Sequence, residues 1–230
     1  MPLSASDTAI VIAAYNEATI VRSVVDEIVS LGYQVFVVDD GSQDETFDVM
    51  KGSAAVVCRH AVNLGQGAAL QTGIQLALKS VARYIVTFDA DGQHDPKEID
   101  KILKPLRDNE VQVTLGSRFM SDGAAIGIAP MKRLLLRAAI LFTKITLGLR
   151  VTDTHNGFRA FKREAASRLH LTQNRMAHAT QILAQIRKAN LSYCEVPVRV
   201  RYTPYSRRKG QKSSNFINIL WEILEGVFGL

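Results

Sequence analysis

The sequence lacks any run of about 18 uncharged apolar residues, which is the length that a membrane-spanning helix requires. It also lacks basic residues ahead of its first apolar run, since the chain begins MPLSASDTAIVIAAYNE. A secretory signal peptide starts with a basic segment, so this beginning does not fit one. We therefore expect a cytoplasmic protein without a membrane-spanning segment.

Cysteine and aromatic residues are scarce. The chain has 230 residues but only two cysteines, Cys58 and Cys194, which lie far apart and without the spacing of a metal site. This usage fits a reducing compartment and predicts that both behave as small buried apolar residues. Aromatic residues make up 7% of the chain. Such a low share counts against a nucleic-acid-binding module that relies on stacking.

Acidic residues are absent from two stretches of the chain. Residues 123–152 contain five lysines and arginines, residues 196–221 contain six, and neither stretch has an Asp or a Glu. Most aspartates lie in the first half, although the net charge of the whole chain is +6. This asymmetry predicts that the C-terminal half meets an anionic partner: a phosphate, a membrane surface or a nucleic acid.

Apolar runs and helical patterns alternate through the first half of the chain. The runs that fit strands are AIVIAA, QVFVVDDGS, AAVVCRH, RYIVTFDAD and VQVTLGSR. This order predicts an α/β fold whose mostly parallel sheet is covered by helices on both faces. Ligands of such sheets bind outside the carboxyl ends of the strands, which here carry YNE, DDGS, DAD and GSR. The 47% hydrophobic content suffices for one domain over residues 1–230.

The pattern changes after Arg118. Residues 131–150 fit an amphipathic helix or helix pair, residues 151–169 a turn and then a helix that begins near Gly157, and residues 193–202 a further strand. A basic loop, YSRRKGQKSSN, and an amphipathic helix over 216–230 follow. Each amphipathic helix has two interpretations: it lies in a membrane interface, or it packs on the domain itself or on a second subunit.

The stretch FDADGQHDP carries the densest carboxylates of the chain. Asp89 and Asp91 are two residues apart, so in extended backbone their side chains point the same way and repel unless a cation lies between them. Oxygen ligands of this kind suit Mg²⁺ or Mn²⁺, which would offset charge on a departing diphosphate. The alternative is a solvated loop, and for Asp95, before Pro96, we expect only a helix-capping role.

Three other features of this edge have a structural and a functional interpretation. Asp39 ends a strand and can accept a hydrogen bond from a base N–H or a ribose hydroxyl, whereas Asp40 precedes a Gly-Ser turn and is explained by that turn. Glu17 is either a ligand or an acid favoured at a helix start. NLGQGAALQTG is glycine-rich, but it has neither the GxGxxG spacing nor a Walker GKS or GKT segment. A tight helix start therefore explains it equally well.

The motifs AAYNE, VVDDGS, NLGQGAALQTG, DADGQHDP, GSR and DTHNGFRAF occur in that order. Together they resemble the family 2 glycosyltransferases with the GT-A fold, in particular the dolichyl- or polyprenyl-phosphate mannose and glucose synthases and related bacterial polysaccharide enzymes. The resemblance covers residues 9 to about 165. It implies a nucleotide-binding half over 1–118, an acceptor-binding half over 119–230, a GDP-mannose or UDP-sugar donor, and Mg²⁺ or Mn²⁺ as cofactor.

The resemblance also implies roles for individual residues. The metal would be held by Asp89, Asp91 and Gln93. The nucleotide would be bound by residues from the first, second and fourth strand ends: Ala14, Tyr15, Glu17, Asp39, Asp89, Ala90 and Asp91. Arg118 and Arg133 would face a phosphate of the acceptor or donor. Asp153, in VTDTHNGFRAF, resembles the family's aspartate that faces the reacting sugar, and its structural alternative is a turn or capping acid.

The type of acceptor decides whether a base is needed. A hydroxyl acceptor requires a general base, for which Asp153 is the candidate, whereas a lipid phosphate is already anionic and requires only cations. The basic C-terminal half favours the phosphate, with Arg118, Arg133, Arg207 and Lys209 as its ligands. Arg118 and Asp153 are the two residues expected to be catalytic. A glycan or glycolipid hydroxyl is the alternative acceptor, and peripheral contact with the cytoplasmic face of a membrane is expected.

Two other functions compete with this prediction. A nucleic-acid-binding module would explain the cations, but the acidic strand ends would repel nucleic-acid phosphates. A metal-dependent nucleotidyltransferase would share the sheet and the metal, but the chain has no basic glycine-rich loop after its first strand. We therefore expect no nucleic-acid partner.

Overall fold

A computed structural model describes residues 5–128, 130–174, 177–203 and 205–206. Within these residues the strands are β1 (Thr8–Ala14), β2 (Gln34–Asp39), β3 (Val56–Arg59), β4 (Tyr84–Asp89), β5 (Val113–Ser117), β6 (Ala124–Ile126), β7 (Arg159–Lys162), β8 (Tyr193–Pro197) and β9 (Arg199–Arg201). The helices are α1 (Val21–Ser30), α2 (Thr46–Met50), α3 (Gln66–Leu78), α4 (Ile99–Arg107), α5 (Pro130–Leu147), α6 (Arg163–Ala166) and α7 (His178–Lys188). Short 3₁₀ turns lie at Ala5–Asp7 and Pro96–Glu98.

Seven strands form one mixed sheet in the order β3-β2-β1-β4-β7-β5-β8. All neighbours in this sheet are parallel except β7, which is antiparallel to both β4 and β5. Apolar side chains are buried on both faces of the sheet, in two separate core clusters. The predicted mostly parallel α/β sheet is therefore present, and β6 and β9 form a second, two-stranded parallel sheet.

The segment 151–169 corrects the sequence prediction. No helix begins near Gly157; a strand, β7, begins at Arg159 and the short helix α6 follows at Arg163. Side chains alternate across β7, because Ala160 packs in one core cluster and Phe161 in the other. Strand β7 has only four residues, and both of its faces are buried. Its sequence therefore shows neither the alternation of polar and apolar residues typical of a strand nor the apolar stripe of a helix, and could not identify it.

The other boundaries differ less from the predictions. Helix α1 begins at Val21 rather than Glu17, and Gly32, with φ +89°, follows its end as expected. The expected strand over 193–202 is divided into β8 and β9. The helix expected from residue 131 is α5, which Gly148 terminates with φ +66°. The basic loop from Arg207 onward and the helix over 216–230 lie outside the described residues.

The expectations for the two cysteines and for a membrane-spanning helix can be compared with the described residues. Cys58 and Cys194 are free thiols and are only half-buried, so neither is a fully buried core residue. In the described part of the chain, no helix has both the length and the apolarity needed to cross a membrane. The division of the chain into a nucleotide-binding and an acceptor-binding half remains a prediction.

Replacement of a buried residue of β7 tests how strongly the core depends on this inserted strand. Phe161 is fully buried, so Phe161→Ala should lower the free energy of unfolding by about 3–5 kcal/mol in urea titrations. Val81 is 84% exposed, and the control Val81→Ala should change stability by less than about 0.5 kcal/mol. Equal effects of the two substitutions would contradict the position of β7 in the core.

Candidate functional site

Polar residues gather where the central strands of the sheet end. The register of the sheet pairs Ala14 of β1 with Asp39 of β2, and Ala13 of β1 with Asp89 of β4. The structure therefore places Ala14, Asp39 and Asp89 side by side at one edge, as predicted from the ends of the strands. Ala14 and Ala90 are buried, whereas the side chain of Tyr15 is 38% exposed above them.

Asp39 is a buried carboxylate with one oxygen committed to the protein. Its Oδ1 accepts a hydrogen bond from the backbone N–H of Ser42 at 3.1 Å. Its Oδ2 has no hydrogen bond; Arg59 Nε lies 3.0 Å away, within ion-pair distance but without hydrogen-bond alignment. Arg59 also donates to the Ser42 carbonyl at 2.9 Å and stacks over the Phe47 ring. Asp39 and Arg59 thus present an acceptor and a donor next to each other.

Asp40 organises the glycine-rich loop. Its carboxylate accepts from the backbone N–H groups of Leu64 at 3.0 Å and Gly65 at 2.7 Å, and it lies 2.8 Å from His60 Nδ1. These amides are the groups that a phosphate-binding loop would offer to an anion, and here a carboxylate of the same chain occupies them. The structural interpretation of both Asp40 and this loop therefore fits the geometry.

Asp89 and Asp91 lie at the end of β4 with two partners that belong to the same motif. Gln93 donates from its backbone N–H to Asp91 Oδ1 at 3.1 Å, and its side-chain amide donates to the other carboxylate oxygen. His94 is buried between the rings of Phe88 and Phe158, and its Nε2 lies 3.4 Å from Asp89 Oδ2. Asp95 caps the next turn by accepting from Lys97 N at 3.0 Å, as predicted.

The two carboxylates have opposite pKa shifts. The pKa of Asp91 is raised to about 6, first by burial and then by the negative charge of Asp89. Burial alone would raise the pKa of Asp89, but the hydrogen bond and charge of His94, with the charges of His178 and Arg118, lower it. Among the described residues, burial and the charge of Asp89 outweigh the favourable charge of His94 at Asp91, and a bound cation would offset them.

Gly157 explains how Asp89 fits against the loop that precedes β7. A Cβ atom at position 157 would lie 2.3–2.6 Å from the Asp89 carboxylate, so only glycine leaves room for it. The Gly157 carbonyl accepts a hydrogen bond of 2.7 Å from Thr87 of β4, which fixes the loop beside the carboxylate. This role of Gly157 was not predicted from the motif DTHNGFRAF, which contains it.

Arg118 and Asp153 form a buried ion pair behind the acidic edge. Arg118 Nε donates to Asp153 Oδ2 at 2.6 Å, and Nη2 lies 3.3 Å from Oδ1. The backbone N–H of Arg118 also donates to Asp153 at 3.1 Å. The remaining guanidinium contacts are the Tyr202 hydroxyl at 2.5 Å and the His155 carbonyl at 3.1 Å. Each side-chain nitrogen of Arg118 therefore has a partner within the protein.

The loop that carries Asp153 is held from β8. Glu195 accepts from the backbone N–H of Thr152 at 2.8 Å, from that of Asp153 at 3.1 Å and from the Thr152 hydroxyl at 3.0 Å. A second buried arginine, Arg159 at the start of β7, donates to the Thr154 carbonyl at 3.0 Å. Burial lowers the pKa of Arg159 to about 10, which still leaves it charged beside Asp153 and Asp89. The contributions of Glu195, Arg159 and Tyr202 to the site were not predicted from the sequence.

The remaining predicted residues lie apart from this cluster. Glu17 follows β1 at the same edge of the sheet, and its carboxylate accepts a 2.6 Å hydrogen bond from the Tyr205 hydroxyl. Arg133 is exposed on α5, and among the described contacts no hydrogen bond or ion pair joins it to Arg118 or Asp153. Arg207 and Lys209 lie outside the described residues. In the described part of the chain, no three His, Cys, Asp or Glu side chains gather in a group able to hold a metal.

The segment that carries these motifs matches a known protein family. The family model described as glycosyl transferase family 2 matches residues 9–170. A UDP-N-acetylglucosamine–dolichyl-phosphate N-acetylglucosaminyltransferase of Methanococcus voltae is 29% identical, with coverage of 94% of each chain. A polyprenol monophosphomannose synthase of Mycolicibacterium smegmatis is 29% identical over 85% of this chain and 77% of its own length.

The fold is also similar to that of a solved enzyme. The crystal structure of glucosyl-3-phosphoglycerate synthase from Mycobacterium tuberculosis, in complex with Mn²⁺ and UDP-glucose, has a TM-score of 0.71 and 20% identity. The alignment covers 96% of this chain and 78% of that one. This likeness confirms the predicted GT-A fold.

The buried imidazole of His155 should make stability depend on pH. Burial lowers the pKa of His155 from 6.5 to about 4, so between these values the unfolded chain binds a proton that the folded chain does not. Stability should therefore fall as pH is lowered from about 6.5 towards 4, by up to about 2–3 kcal/mol from this residue.

Urea unfolding of the wild type and of His155→Gln at several pH values isolates this contribution. The difference in unfolding free energy between the two proteins should shift in favour of the variant as pH falls below about 6.5. A difference that is constant across this range would show that His155 is not buried in its neutral form.

Proposed function

Because the chain belongs to glycosyl transferase family 2 and is therefore a glycosyltransferase, we propose that it transfers a sugar from a nucleoside-diphosphate sugar to a polyprenyl phosphate, with inversion at the anomeric carbon. The observation that carries this choice of acceptor is the ion pair of Asp153 with Arg118. This ion pair occupies the carboxylate that would have to act as the general base if the acceptor were a hydroxyl group.

Hydrogen-bond donors surround the Asp153 carboxylate in this arrangement. Besides three donors from Arg118, it receives the backbone N–H of His155 at 3.4 Å. The bonds from the Arg118 guanidinium are charge-assisted, and they hold the carboxylate in a buried position. We therefore assign Asp153 and Arg118 to the orientation of the loop beside the reacting sugar, and not to proton transfer.

His155 does not replace it as a base. Its Nε2 is buried without a hydrogen bond and its pKa is lowered to about 4, which is far below the value near 7 that suits a general base. A phosphate oxygen attacks without loss of a proton, so an acceptor of this kind matches a site without a base. The names of the two relatives support this choice. One is a dolichyl-phosphate N-acetylglucosaminyltransferase and the other is a polyprenol monophosphomannose synthase.

The polar pair Asp39 and Arg59 favours a uracil base in the donor. Uracil offers one imide N–H flanked by carbonyl oxygens, which matches Oδ2 of Asp39, the oxygen that accepts no hydrogen bond, and the guanidinium paired with it. Guanine offers two adjacent donors and would need both carboxylate oxygens, but Oδ1 is already bonded to Ser42. Between the two predicted donors, we therefore propose a UDP-sugar rather than GDP-mannose.

The oxygen donors at the end of β4 fit a small divalent cation. Asp89, Asp91 and the Gln93 amide would hold Mg²⁺ or Mn²⁺, and few protein ligands are needed when a diphosphate completes the shell. The ion would offset the charge that develops on the departing nucleoside diphosphate. Gly157 holds Asp89 in place by close contact, and His94 orients its carboxylate.

Removal of the Asp91 charge should separate catalysis from stability. Asp91→Asn should reduce turnover at least about 100-fold, because a ligand of the ion is lost. In EDTA the same variant should be more stable than the wild type at pH 7. The folded pKa of Asp91 is raised to about 6, so its ionised form destabilises the protein there.

The matched control is Asp95→Asn, which retains a capping side chain four residues after Asp91. It should leave both turnover and melting temperature nearly unchanged. Full turnover of the wild type in excess EDTA would refute the metal assignment.

Substitution of Asp39 should change base preference. The wild type should bind UDP more tightly than GDP by roughly tenfold, and Asp39→Asn should weaken UDP and strengthen CDP, because the Asn amide can donate to N3 of cytosine. Titration calorimetry with UDP, CDP and GDP measures this. Asp26→Asn, on the exposed pair with Arg22 in α1, is the control. Equal affinity of the wild type for UDP and GDP would refute the uracil assignment.

The pH dependence of transfer tests the acceptor. With a panel of UDP-sugars and polyprenyl phosphate, kcat should vary little with pH near neutrality. Asp153→Asn should lower it by roughly tenfold at every pH, because loop position and not proton transfer is lost. Removal of a general base would instead cost about 10²–10⁴-fold. Thermal melting of the same variant separates this loss from unfolding, since a broken buried pair can cost about 3–5 kcal/mol.

A further inference from the structure

Helix α5 exposes an apolar stripe along its whole length. Met131, Leu134, Leu141 and Ile145 are 57%, 61%, 58% and 74% exposed. Together with exposed Ala138, they follow one another at intervals of three or four residues, which places them on one face of the helix. The opposite face carries the side chains that pack on the protein, including buried Leu136 and Thr143.

One flank of this stripe is cationic. Arg133, Arg137 and Lys144 are exposed, and at 3.6 residues per turn they fall between the packed face and the apolar stripe. No Asp or Glu occurs from residue 123 to residue 152, so the surroundings of the stripe offer no negative charge from this stretch. Ile126 of β6, shortly before the helix in sequence, adds a further large apolar side chain, with 52% exposure.

We propose that this face of α5 docks on the surface of a bilayer that contains anionic lipids. The apolar stripe would enter the boundary between headgroups and acyl chains, and the cations beside it would face the lipid phosphates. A second copy of the chain fits the face less well, because the charged side chains around it are all positive and would be brought together. The inference deepens the proposed lipid acceptor by naming the surface that brings the site to the membrane.

Vesicle sedimentation tests the proposal without donor or acceptor substrates. The protein should sediment with vesicles of phosphatidylcholine mixed with phosphatidylglycerol, more weakly with phosphatidylcholine alone, and less in high salt. Leu141→Gln combined with Ile145→Gln should weaken binding to both kinds of vesicle by roughly tenfold or more. Arg137→Gln combined with Lys144→Gln should weaken only the binding to anionic vesicles, by roughly tenfold.

Matched controls lie on other surfaces. Val81→Gln replaces an apolar side chain that is 84% exposed, and Lys79→Gln combined with Lys101→Gln removes two exposed cations. Neither control should change sedimentation. Each variant should also keep the wild-type affinity for UDP, which shows that it is folded and that the donor site is unaffected.

Three results would overturn the proposal. One is wild-type protein that does not sediment with anionic vesicles. Another is a dimer that the Leu141 and Ile145 substitutions convert to a monomer while vesicle binding is unchanged. The third is a loss of melting temperature in those variants without any change in vesicle binding, which would mean that the chain itself covers the face. Sedimentation without sugar transfer would instead refute the proposed function and leave the docking surface intact.

Discussion

The ion pair of Arg118 and Asp153 is the interaction on which the rest of the site depends. It joins the residue after β5 to the loop before β7, and Glu195 of β8 holds the same loop through two backbone N–H groups. Three neighbouring segments of the sheet thus meet at one buried contact. An unpaired charge at this depth costs several kcal/mol, so the partners constrain each other strongly. Under the proposed function, the same contact occupies the carboxylate that would otherwise be the candidate base.

Charge balance at the edge of the sheet follows from this arrangement. The carboxylates of Asp89 and Asp153 lie near the buried cations Arg118 and Arg159, whereas the hydrogen bonds of Asp91 among the described residues come from Gln93. The described side chains therefore offset the charges of Asp89 and Asp153 more fully than that of Asp91, where a bound cation would act. Under the proposed function, that difference separates the residues that hold the loop from those that hold the donor diphosphate.

Much of this organisation was accessible from the sequence, for identifiable reasons. Strands β1, β2 and β4 are mostly apolar, β2 and β4 end in aspartate and Glu17 follows β1, so both the sheet and the position of its carboxylates followed from pattern. Strand β7 did not, because it is four residues long and buried on both faces. The partners of Asp153 could not be predicted either. Arg118 and Glu195 are far from it in sequence, as is Tyr202, which accepts from Arg118, and only the order of strands brings them together.

The insertion of β7 between β4 and β5 has a consequence for the order of synthesis. A nascent chain that has emerged only as far as β5 carries two strands that cannot yet pair with each other, since the strand that separates them is encoded more than forty residues later. Both edges stay open to other chains during that interval. The hydrogen bond from Tyr205 to Glu17 spans 188 residues, so it cannot form before Tyr205 has been synthesised. The edge of the sheet that carries Glu17 is therefore completed only after Tyr205 has emerged from the ribosome.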